Sequence, residues 1–231
     1  MATQYANGKI VTDGLVLSLD ASDLNSYPGS GTTWNDIAGS NNGTLTNGPT
    51  FDSNGNASSI VFDGVDDYAD CGNSLNLQVT AITIETFVLF TSIANTVIGA
   101  KRYSFNSDMS YFLGQSTANG KIRWGTSVNG TTQDTLDTLK SDFTTNQIYC
   151  LTVIYENSSN RKEIWVNGIL DVSTNTNGNL YNSTENTLIG TDARIVGLLP
   201  GNIYNYKIYN RALTQEEITQ NYNAQKSRFG L

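Results

Sequence analysis

Residues 201–218 read GNIYNYKIYNRALTQEEI and predict a strand that passes directly into a helix. The first half is aromatic and β-branched and contains no proline, which is typical of a strand. Thr214, followed three residues later by Glu217, has the form of a capping box, so we expect a helix to begin there. Leu213 and Ile218 flank the cap. They are expected to pack together as a hydrophobic staple that sets the angle between strand and helix.

This strand, corner and short helix resemble the terminal signature of laminin-G-like, concanavalin-A-like jelly-roll domains. The resemblance recurs upstream in FDGVDDY at 62–68, in TIETFV at 83–88 and in VNG at 166–168. It implies an all-β fold, a two-sheet antiparallel jelly-roll sandwich with one short C-terminal helix. Because that fold carries lectins, hydrolases and structural modules alike, it does not by itself assign a function.

The composition suits one large all-β domain. Of 231 residues only 15% are charged, and Asn, Thr, Ser and Gly crowd the segments between short apolar runs. A sandwich with many turns has this composition. We expect an N-terminal arm at 1–12, a laminin-G-like domain at 13–226 and a C-terminal tail at 227–231. The tail is interpreted either as a docking peptide or as a frayed end.

Strand patterns recur along the whole chain and suffice for two packed sheets. The predicted strands are 15–19, 60–62, 80–90, 97–100, 111–114, 122–128, 148–155, 162–166, 169–172, 187–190 and 202–209. Asn167-Gly168 predicts a type I′ hairpin turn, because both residues tolerate positive φ. The segment 20–56 is expected to be loop-rich, and 131–145 is expected to be a surface excursion.

Charge and hydropathy disfavour several partners. Thirteen basic and twenty-one acidic residues give a net charge of -8 without a basic cluster, so we expect no nucleic-acid partner. No apolar run approaches the ~20 residues that span a bilayer, so no membrane partner is expected. The N-terminus lacks the basic and apolar regions of a signal peptide. We therefore expect the chain to leave the cell by another route or on a particle released by lysis.

The sequence disfavours catalysis. Histidine is absent, which removes the usual general base and the common catalytic zinc ligands. Glycoside hydrolysis needs two carboxylates ~5–9.5 Å apart, whereas the matching strand 83–88 carries only Glu85. We therefore predict a non-enzymatic protein with no catalytic residues. Cys150 lies in an apolar run and is expected to be a buried free thiol, with a single disulfide to Cys71 as the alternative.

An acidic turn is the candidate metal site. Asp63, Asp66 and Asp67 crowd one tight turn, and Ca²⁺ prefers several carboxylate and carbonyl oxygens. The alternative is that Asp and Gly simply form a turn, and the lack of a bidentate Glu at a fixed offset favours it. Asp36 with the asparagines that follow it is a weaker candidate of the same kind.

Three aromatic residues are candidates for sugar binding. The apolar faces of Tyr103, Tyr111 and Trp124 suit the C–H face of a pyranose, with polar neighbours to bind the hydroxyls. For Trp124 the core is the favoured alternative, since it alternates with Ile122 and Val128 on one face of a strand. Of the three, Tyr103 is expected to be the most exposed.

A second resemblance suggests the biological setting. Residues 27–32 read YPGSGT and precede a Trp and an NNG turn at 41–43. This section resembles the opening of laminin-G-like modules in bacteriophage and marine environmental proteins. It implies a virion surface component: a capsid decoration, fibre or tail-associated subunit on an extracellular particle.

Such a component would attach to other virion proteins through its N-terminal arm or C-terminal tail, as a homo-oligomer or at a single point, and would adhere to cell-surface polysaccharide. The alternative is a free carbohydrate-binding lectin that acts with or without Ca²⁺. A glycoside hydrolase is the least supported hypothesis.

Overall fold

The computed structural model describes residues 4–5, 8–93, 95–116 and 120–231. Those residues form eighteen strands, one α-helix and three 3₁₀ turns, and none of their helices is long and apolar enough to cross a membrane. In chain order the strands are β1 (Gln4–Tyr5), β2 (Gly8–Lys9), β3 (Leu15–Asp20), β4 (Thr33–Trp34), β5 (Gly43–Thr46), β6 (Thr50–Asp52), β7 (Ser59–Asp63), β8 (Tyr68–Asp70), β9 (Ile82–Phe90), β10 (Val97–Ser104), β11 (Ser107–Gln115), β12 (Ile122–Thr126), β13 (Asp134–Asp137), β14 (Ile148–Glu156), β15 (Arg161–Val166), β16 (Ile169–Thr174), β17 (Leu188–Ile189) and β18 (Pro200–Tyr209). The helix is α1 (Gln215–Gln225), and the 3₁₀ turns are Gly55–Ala57, Leu75–Leu77 and Lys226–Phe229.

Two antiparallel sheets face each other. The back sheet, which carries α1 on its outer face, has the order β16-β15-β14-β9-β18-β7-β6, and β3 also pairs with β18. The front sheet has the order β13-β12-β11-β10-β17-β8-β5-β4. This architecture confirms the predicted jelly-roll sandwich with one short C-terminal helix.

The core lies between the sheets and contains large side chains from both. Trp34, Phe62, Trp124 and Tyr206 are almost fully buried in one continuous cluster. The indole Nε1 of Trp124 on β12 donates a 3.0 Å hydrogen bond to the carbonyl of Ile154 on β14, which ties the two sheets together. Apolar burial is the main stabilising force of such a sandwich.

The predicted central strand is confirmed. β9 pairs with β14 on one side and with β18 on the other, and it is covered by the core on its inner face and by α1 with the C-terminus on its outer face. Because both faces of β9 are covered, apolar residues occur at consecutive positions of this strand instead of at every second one. The two cysteines are free and buried, as expected for Cys150.

The strand-to-helix corner also forms as predicted. The Thr214 hydroxyl accepts from the Glu217 backbone N–H at 3.3 Å, and the Glu217 carboxylate accepts from the Thr214 N–H at 2.9 Å. Leu213 and Ile218 are fully buried in the same cluster, so the staple is confirmed. Arg211 donates two 2.7 Å hydrogen bonds to the Glu217 carboxylate and strengthens the corner.

Removing the cap has a defined expected cost. Thr214→Ala should lower the free energy of unfolding by about 1 kcal/mol, because one backbone N–H of the first turn loses its acceptor. Urea unfolding measures the change. Thr214→Ser keeps the hydroxyl and should stay close to the wild type, so an equal loss in both variants would contradict the role of the cap.

Residues 8–12 are part of the domain, so the predicted arm at 1–12 is too long. The Val11 N–H donates to Asn221 Oδ1 at 2.8 Å, and the Tyr209 hydroxyl donates to the Val11 carbonyl at 3.0 Å. Ile10 and Val11 are buried against the helix. Polar side chains of the helix thus pair with this backbone, which local sequence patterns do not reveal. Residues 1–3 and 6–7 of the predicted arm lie outside the described residues.

The C-terminal tail is packed, which corrects both interpretations of 227–231. The Phe229 ring stacks on Phe87 at 4.4 Å between centroids and meets Tyr204 edge-on at 5.2 Å. Arg228 donates two hydrogen bonds, of 2.7 and 2.8 Å, to the carboxylate of Asp20. The tail therefore closes the outer face of the back sheet and is neither a frayed end nor a free docking peptide.

This ion pair predicts a dependence of stability on pH. Burial raises the pKa of Asp20, but the hydrogen bonds and charge of Arg228, with the charge of Lys207, outweigh burial and lower that pKa below its ordinary value. Because the folded-state pKa is the lower one, the stabilisation is present above the unfolded pKa of about 4 and is lost as the pH falls through the folded value.

Arg228→Met is therefore expected to lower the free energy of unfolding at neutral pH and to flatten its decline in acid. Urea unfolding at a series of pH values measures both effects. Lys140→Met is the matched control, because the partner Asp142 is largely exposed and an exposed pair contributes little. Identical acid profiles for Arg228→Met and the wild type would contradict the role of this pair.

Four short strands lie in segments that were expected to form loops. β4, β5 and β6 lie in the segment expected to be loop-rich, and β13 lies in the segment expected to be a surface excursion. Each has two to four residues, and three of the four carry Gly or Asp, which are uncommon in strands. Pairing with longer neighbours forms these strands, so their own sequence carries little signal.

Candidate functional site

An open polar depression lies at one end of the front sheet, where β5 and β8 meet the segment before β17. Its volume is about 380 Å³. Four asparagines dominate the lining, with hydroxyl groups and one carboxylate among them. The lining residues are Ser40, Asn41, Asn42, Thr44, Asp70, Cys71, Gly72, Asn73, Ser74 and Asn186.

Asp36 positions one wall of this depression. Its Oδ1 accepts from the Ser18 N–H at 2.9 Å, and its Oδ2 accepts from the Asn41 N–H at 3.0 Å. The Asn41 side chain in turn donates to the Val16 carbonyl at 2.9 Å. Because both oxygens of Asp36 already accept backbone N–H groups, this residue has a structural role, and the weaker metal hypothesis loses its central ligand.

Asn73 on the opposite wall is held by a buried lysine. Its Oδ1 accepts from Lys101 Nζ, and its Nδ2 donates to the Thr184 carbonyl at 2.7 Å. Burial lowers the pKa of Lys101 to about 8, although the charges of Asp108 and Glu185 oppose the shift. The Asn73 amide is thus fixed in orientation before any ligand arrives.

The depression offers both donors and acceptors at its rim. Asn42, Thr44 and Asn186 are exposed there, and Asn186 Nδ2 donates to Asp70 Oδ2 at 2.9 Å. An amide group carries two donors and one acceptor oxygen, and a hydroxyl carries both functions. Ligands rich in hydroxyl groups match such a surface, whereas large apolar ligands do not.

The three aromatic candidates lie in different environments. Tyr111 and Trp124 are 1% and 0% exposed and belong to the core, so the prediction that they bind a ligand is wrong. Their side chains point inward because β11 and β12 pack directly against the back sheet. Tyr103 is 49% exposed on β10, two residues beyond Lys101, and stays a candidate.

The acidic turn brings its three carboxylates together. One oxygen from each of Asp63, Asp66 and Asp67 lies within 4.8 Å of the others. Asp63 Oδ1 accepts from the Val65 N–H at 2.7 Å, and Asp67 Oδ2 accepts from the Asp63 N–H at 3.0 Å. These hydrogen bonds are those of a tight Asx turn.

The pKa directions follow from the same contacts. Hydrogen bonds from the turn, chiefly that of the Val65 N–H, lower the pKa of Asp63. Burial raises the pKa of Asp67, and the charges of Asp63 and Asp66 add to the increase. A Ca²⁺ ion would fit the carboxylate oxygens that the turn does not use, chiefly those of Asp66, with water completing its six to eight ligands.

Glu85, the single acid on the central strand, does not face a groove. It is fully buried below α1, where it pairs with Lys207 at 3.3 Å and accepts from Gln225 at 2.9 Å. The carboxylate is therefore enclosed on the outer face of the back sheet.

Comparison with known families identifies the fold. A family model described as the concanavalin A-like lectin/glucanases superfamily matches residues 63–219. The chain belongs to this superfamily. A sequence comparison with curated proteins found no match to this chain.

Solved structures share the concanavalin A-like fold at low identity. A sialidase from Trypanosoma rangeli, in complex with a difluoro-KDN ligand, has a TM-score of 0.68 and 14% identity, over 96% of this chain and 34% of the sialidase. Domain 4 of AbnA, a GH43 extracellular arabinanase from Geobacillus stearothermophilus in complex with arabinotriose, has a TM-score of 0.68 and 14% identity, over 90% of this chain and 98% of that domain. The receptor-binding domain of a botulinum neurotoxin of mosaic serotype C/D has a TM-score of 0.67 and 16% identity, over 93% of this chain and 52% of its own.

These similarities establish the fold alone. The chain spans about a third of the sialidase and about half of the toxin domain.

Sequence patterns did not predict the depression. Asn73 and Asn186 lie more than a hundred residues apart and meet because β8 pairs with β5 on one side and with β17 on the other. The one available signal is the run of Asn, Ser and Asp beside three strand ends. Such runs are also typical of ordinary turns, so this signal alone does not distinguish a site.

Proposed function

We propose that this protein is a non-enzymatic adhesion module that binds glycans at the polar depression and is displayed on a bacteriophage virion. The observation that supports glycan binding best is the set of pre-oriented amides at 41–42, 73 and 186. Sugars are bound through hydroxyl groups, and each needs donors and acceptors at fixed positions. The lectin-like fold is consistent with this use.

The non-enzymatic part of the proposal is supported by the residues at the centre of the sheet. Glu85 is enclosed with Lys207 and so is not presented to a substrate. The chain contains no histidine. Display without turnover requires only a stable sandwich and an accessible binding surface.

The virion setting is supported by the resemblance of 27–43 to phage-encoded modules. The protein would be a capsid-decoration, fibre or tail-associated subunit of an extracellular particle. Since the C-terminal tail and residues 8–12 are packed on the domain, attachment to other virion proteins falls to residues 1–7 or to the outer surface.

Glycan binding can be tested with matched variants. The wild type should bind a subset of glycans on an array. Asn186→Ala should raise the Kd about three- to tenfold, because the ligand loses the net free energy of one hydrogen bond. Tyr103→Ala serves as the control for a site on the exposed end of β10. Silence on the array would refute adhesion, and loss of binding only in Tyr103→Ala would place the site at Tyr103.

The virion setting has a separate test. Quantitative mass spectrometry of purified particles should find the protein at a fixed copy number relative to the major capsid protein. Its absence from particles, with glycan binding intact, would leave a free lectin. Turnover of a polysaccharide by the purified protein would refute the non-enzymatic proposal.

A Ca²⁺-dependent free lectin is the second candidate, because three carboxylates gather in one turn. If Ca²⁺ binds only the folded state, it should raise the free energy of unfolding by about 2.7 kcal/mol at a hundredfold excess over Kd, and the melting temperature should rise with it. Thermal melting with Ca²⁺ and with chelator measures the shift. Asp66→Asn should abolish it, and identical melting curves for the wild type in both buffers would exclude this candidate.

A further inference from the structure

A buried polar cluster lies between the back sheet and α1. We call it the Lys207 cluster, and it consists of Glu85 on β9, Asn205 and Lys207 on β18, and Gln225 at the end of α1. All four side chains are 0% exposed. Apolar residues around Tyr209 and Phe87 pack on either side. Water is therefore excluded from a site that contains an amine, a carboxylate and two carboxamides.

The Gln225 carboxamide sits between the amine and the carboxylate. Lys207 Nζ lies 2.7 Å from Gln225 Oε1 and 3.3 Å from Glu85 Oε1. Gln225 Nε2 donates to the same Glu85 oxygen at 2.9 Å. These contacts bring together the amine of Lys207, the carbonyl group that it would attack and the carboxylate that would transfer protons between the two nitrogens.

A fourth group faces the oxygen on which negative charge would develop. Asn205 Nδ2 donates to Gln225 Oε1 at 3.1 Å. When the lysine nitrogen attacks the carbonyl carbon, this amide continues to donate to the oxygen and stabilises the tetrahedral oxyanion. A structural ion pair needs only Glu85 and Lys207, so the polarised carboxamide is a separate feature.

We infer that Lys207 and Gln225 join spontaneously into an intramolecular isopeptide bond, with Glu85 as the proton shuttle. A proton first passes from the Lys207 ammonium to the Glu85 carboxylate. The neutral amine then attacks the Gln225 carbonyl carbon and forms the new C–N bond. Desolvated lysines act as nucleophiles in this way.

Glu85 then donates its proton to the leaving nitrogen, Nε2, and accepts one from the attacking nitrogen. The bond between the Gln225 carbonyl carbon and Nε2 breaks, and ammonia leaves. Ammonia takes the proton that Glu85 holds, so the products are an amide and an ammonium ion, and Glu85 is again a carboxylate. No oxidant, metal or cofactor takes part, because every atom comes from the two side chains.

The surroundings favour this reaction over an inert ion pair. Glu85 Oε2 is buried and has no hydrogen-bond partner among the described residues, which is costly for a carboxylate but suits a group that accepts and returns a proton. Holding the reacting groups in contact supplies an effective concentration of about 10⁵–10⁸ M in well-oriented systems. Exclusion of water also prevents hydrolysis of the product.

The bond would cross-link two elements eighteen residues apart in sequence. It would tie β18, which pairs with β9, β3 and β7, to the last residue of α1. The C-terminal helix then could not separate from the sheet without breaking a covalent bond. This inference does not depend on glycan binding or on a virion setting.

Intact-mass spectrometry of the purified wild-type protein tests the inference. Under denaturing conditions, the mass should fall below the sequence mass by one ammonia, after allowing for the initiator methionine. Trypsin should fail to cleave after Lys207, because its amine is acylated, and should release 195–211 joined to 212–226. Without the bond, the same digest gives 195–207, 208–211 and 212–226 as separate peptides.

Three variants locate the reaction. Lys207→Arg keeps the charge but cannot form the amide, and Glu85→Gln removes the proton shuttle, so each should have the full mass of its own sequence. Lys162→Arg is the matched control, since Lys162 is equally buried beside Asp134 but contacts no carboxamide in the described structure. This control should keep the deficit.

The mass of the wild-type protein is the decisive measurement, because it does not require any variant to fold. A wild-type mass equal to the sequence mass overturns the bond. A deficit that survives Lys207→Arg also overturns it, since the ammonia would then come from another residue, such as cyclisation at Asn167-Gly168. A deficit that survives Glu85→Gln overturns the assigned role of Glu85.

Discussion

Replacing Asp192 by alanine is expected to lower the free energy of unfolding by about 3–5 kcal/mol. Asp192 pairs with Arg102 at 3.0 Å, and both side chains are almost fully buried, at 0% and 2% exposure. The guanidinium lies 3.8 Å from the ring centre of Phe105 and 4.1 Å from that of Phe112. Without Asp192, the buried guanidinium of Arg102 loses the carboxylate that neutralises its charge.

The pKa of Arg102 reflects the same balance. Burial lowers it to about 10, against the opposing effect of Asp192. An arginine guanidinium keeps its proton in proteins, so removal of the carboxylate is not relieved by loss of a proton. The full cost of an unpaired buried charge is therefore expected at neutral pH.

Urea unfolding of Asp192→Ala and of Asp137→Ala measures the contrast. Asp137 pairs with Arg123 at 2.7 Å, but those side chains are 27% and 32% exposed, so this loss should be about 0–1 kcal/mol. If Asp192→Ala does not fold, the double variant Arg102→Met/Asp192→Ala should recover stability, because it removes both charges. Equal losses in the two single variants would contradict the role of burial.

Trp124→Ala is expected to have a similarly large effect, about 3–5 kcal/mol, through the cavity that it leaves in the core. Trp124 is fully buried, lies 5.9 Å from the ring of Tyr111 and hydrogen-bonds across to β14. Trp124→Phe retains most of the volume and should lose less stability. Thermal or urea unfolding measures both.

The same variant separates a core residue from a sugar-binding residue. Trp124 does not line the depression, so Trp124→Phe should keep the affinity of the wild type for any glycan bound there. Tyr103→Ala, at an exposed position, should change stability by no more than about 0.5 kcal/mol. A Trp124→Ala protein with unchanged stability and lost glycan binding would contradict the assignment of Trp124 to the core.

Several elements could be predicted from the sequence because their causes are local. The capping box needs only Thr214 and Glu217, and the staple needs only their neighbours. The hairpin at Asn167-Gly168 follows from two residues that adopt φ of 51° and 74°. The central strand was recognised by its long apolar run. Short strands such as β13 were missed because their pairing partners, not their own residues, stabilise them.

Aromatic candidates show where local patterns stop being sufficient. Tyr103, Tyr111 and Trp124 all lie on strands of the front sheet, yet only Tyr103 is exposed. Alternation along a strand separates two faces but does not tell which face meets the other sheet. Irregular pairing in β10, between Lys101 and Arg102, further interrupts the alternation.

The sequence by itself determined the fold class, the strand-to-helix corner and the absence of histidine, because these depend on composition and on residues a few positions apart. Tertiary structure alone decided three other features: the depression, the packed termini and the Lys207 cluster. Each of these joins residues far apart in sequence through strand pairing or helix docking. The Glu85 to Gln225 contact spans 140 residues, and no local pattern records such a contact.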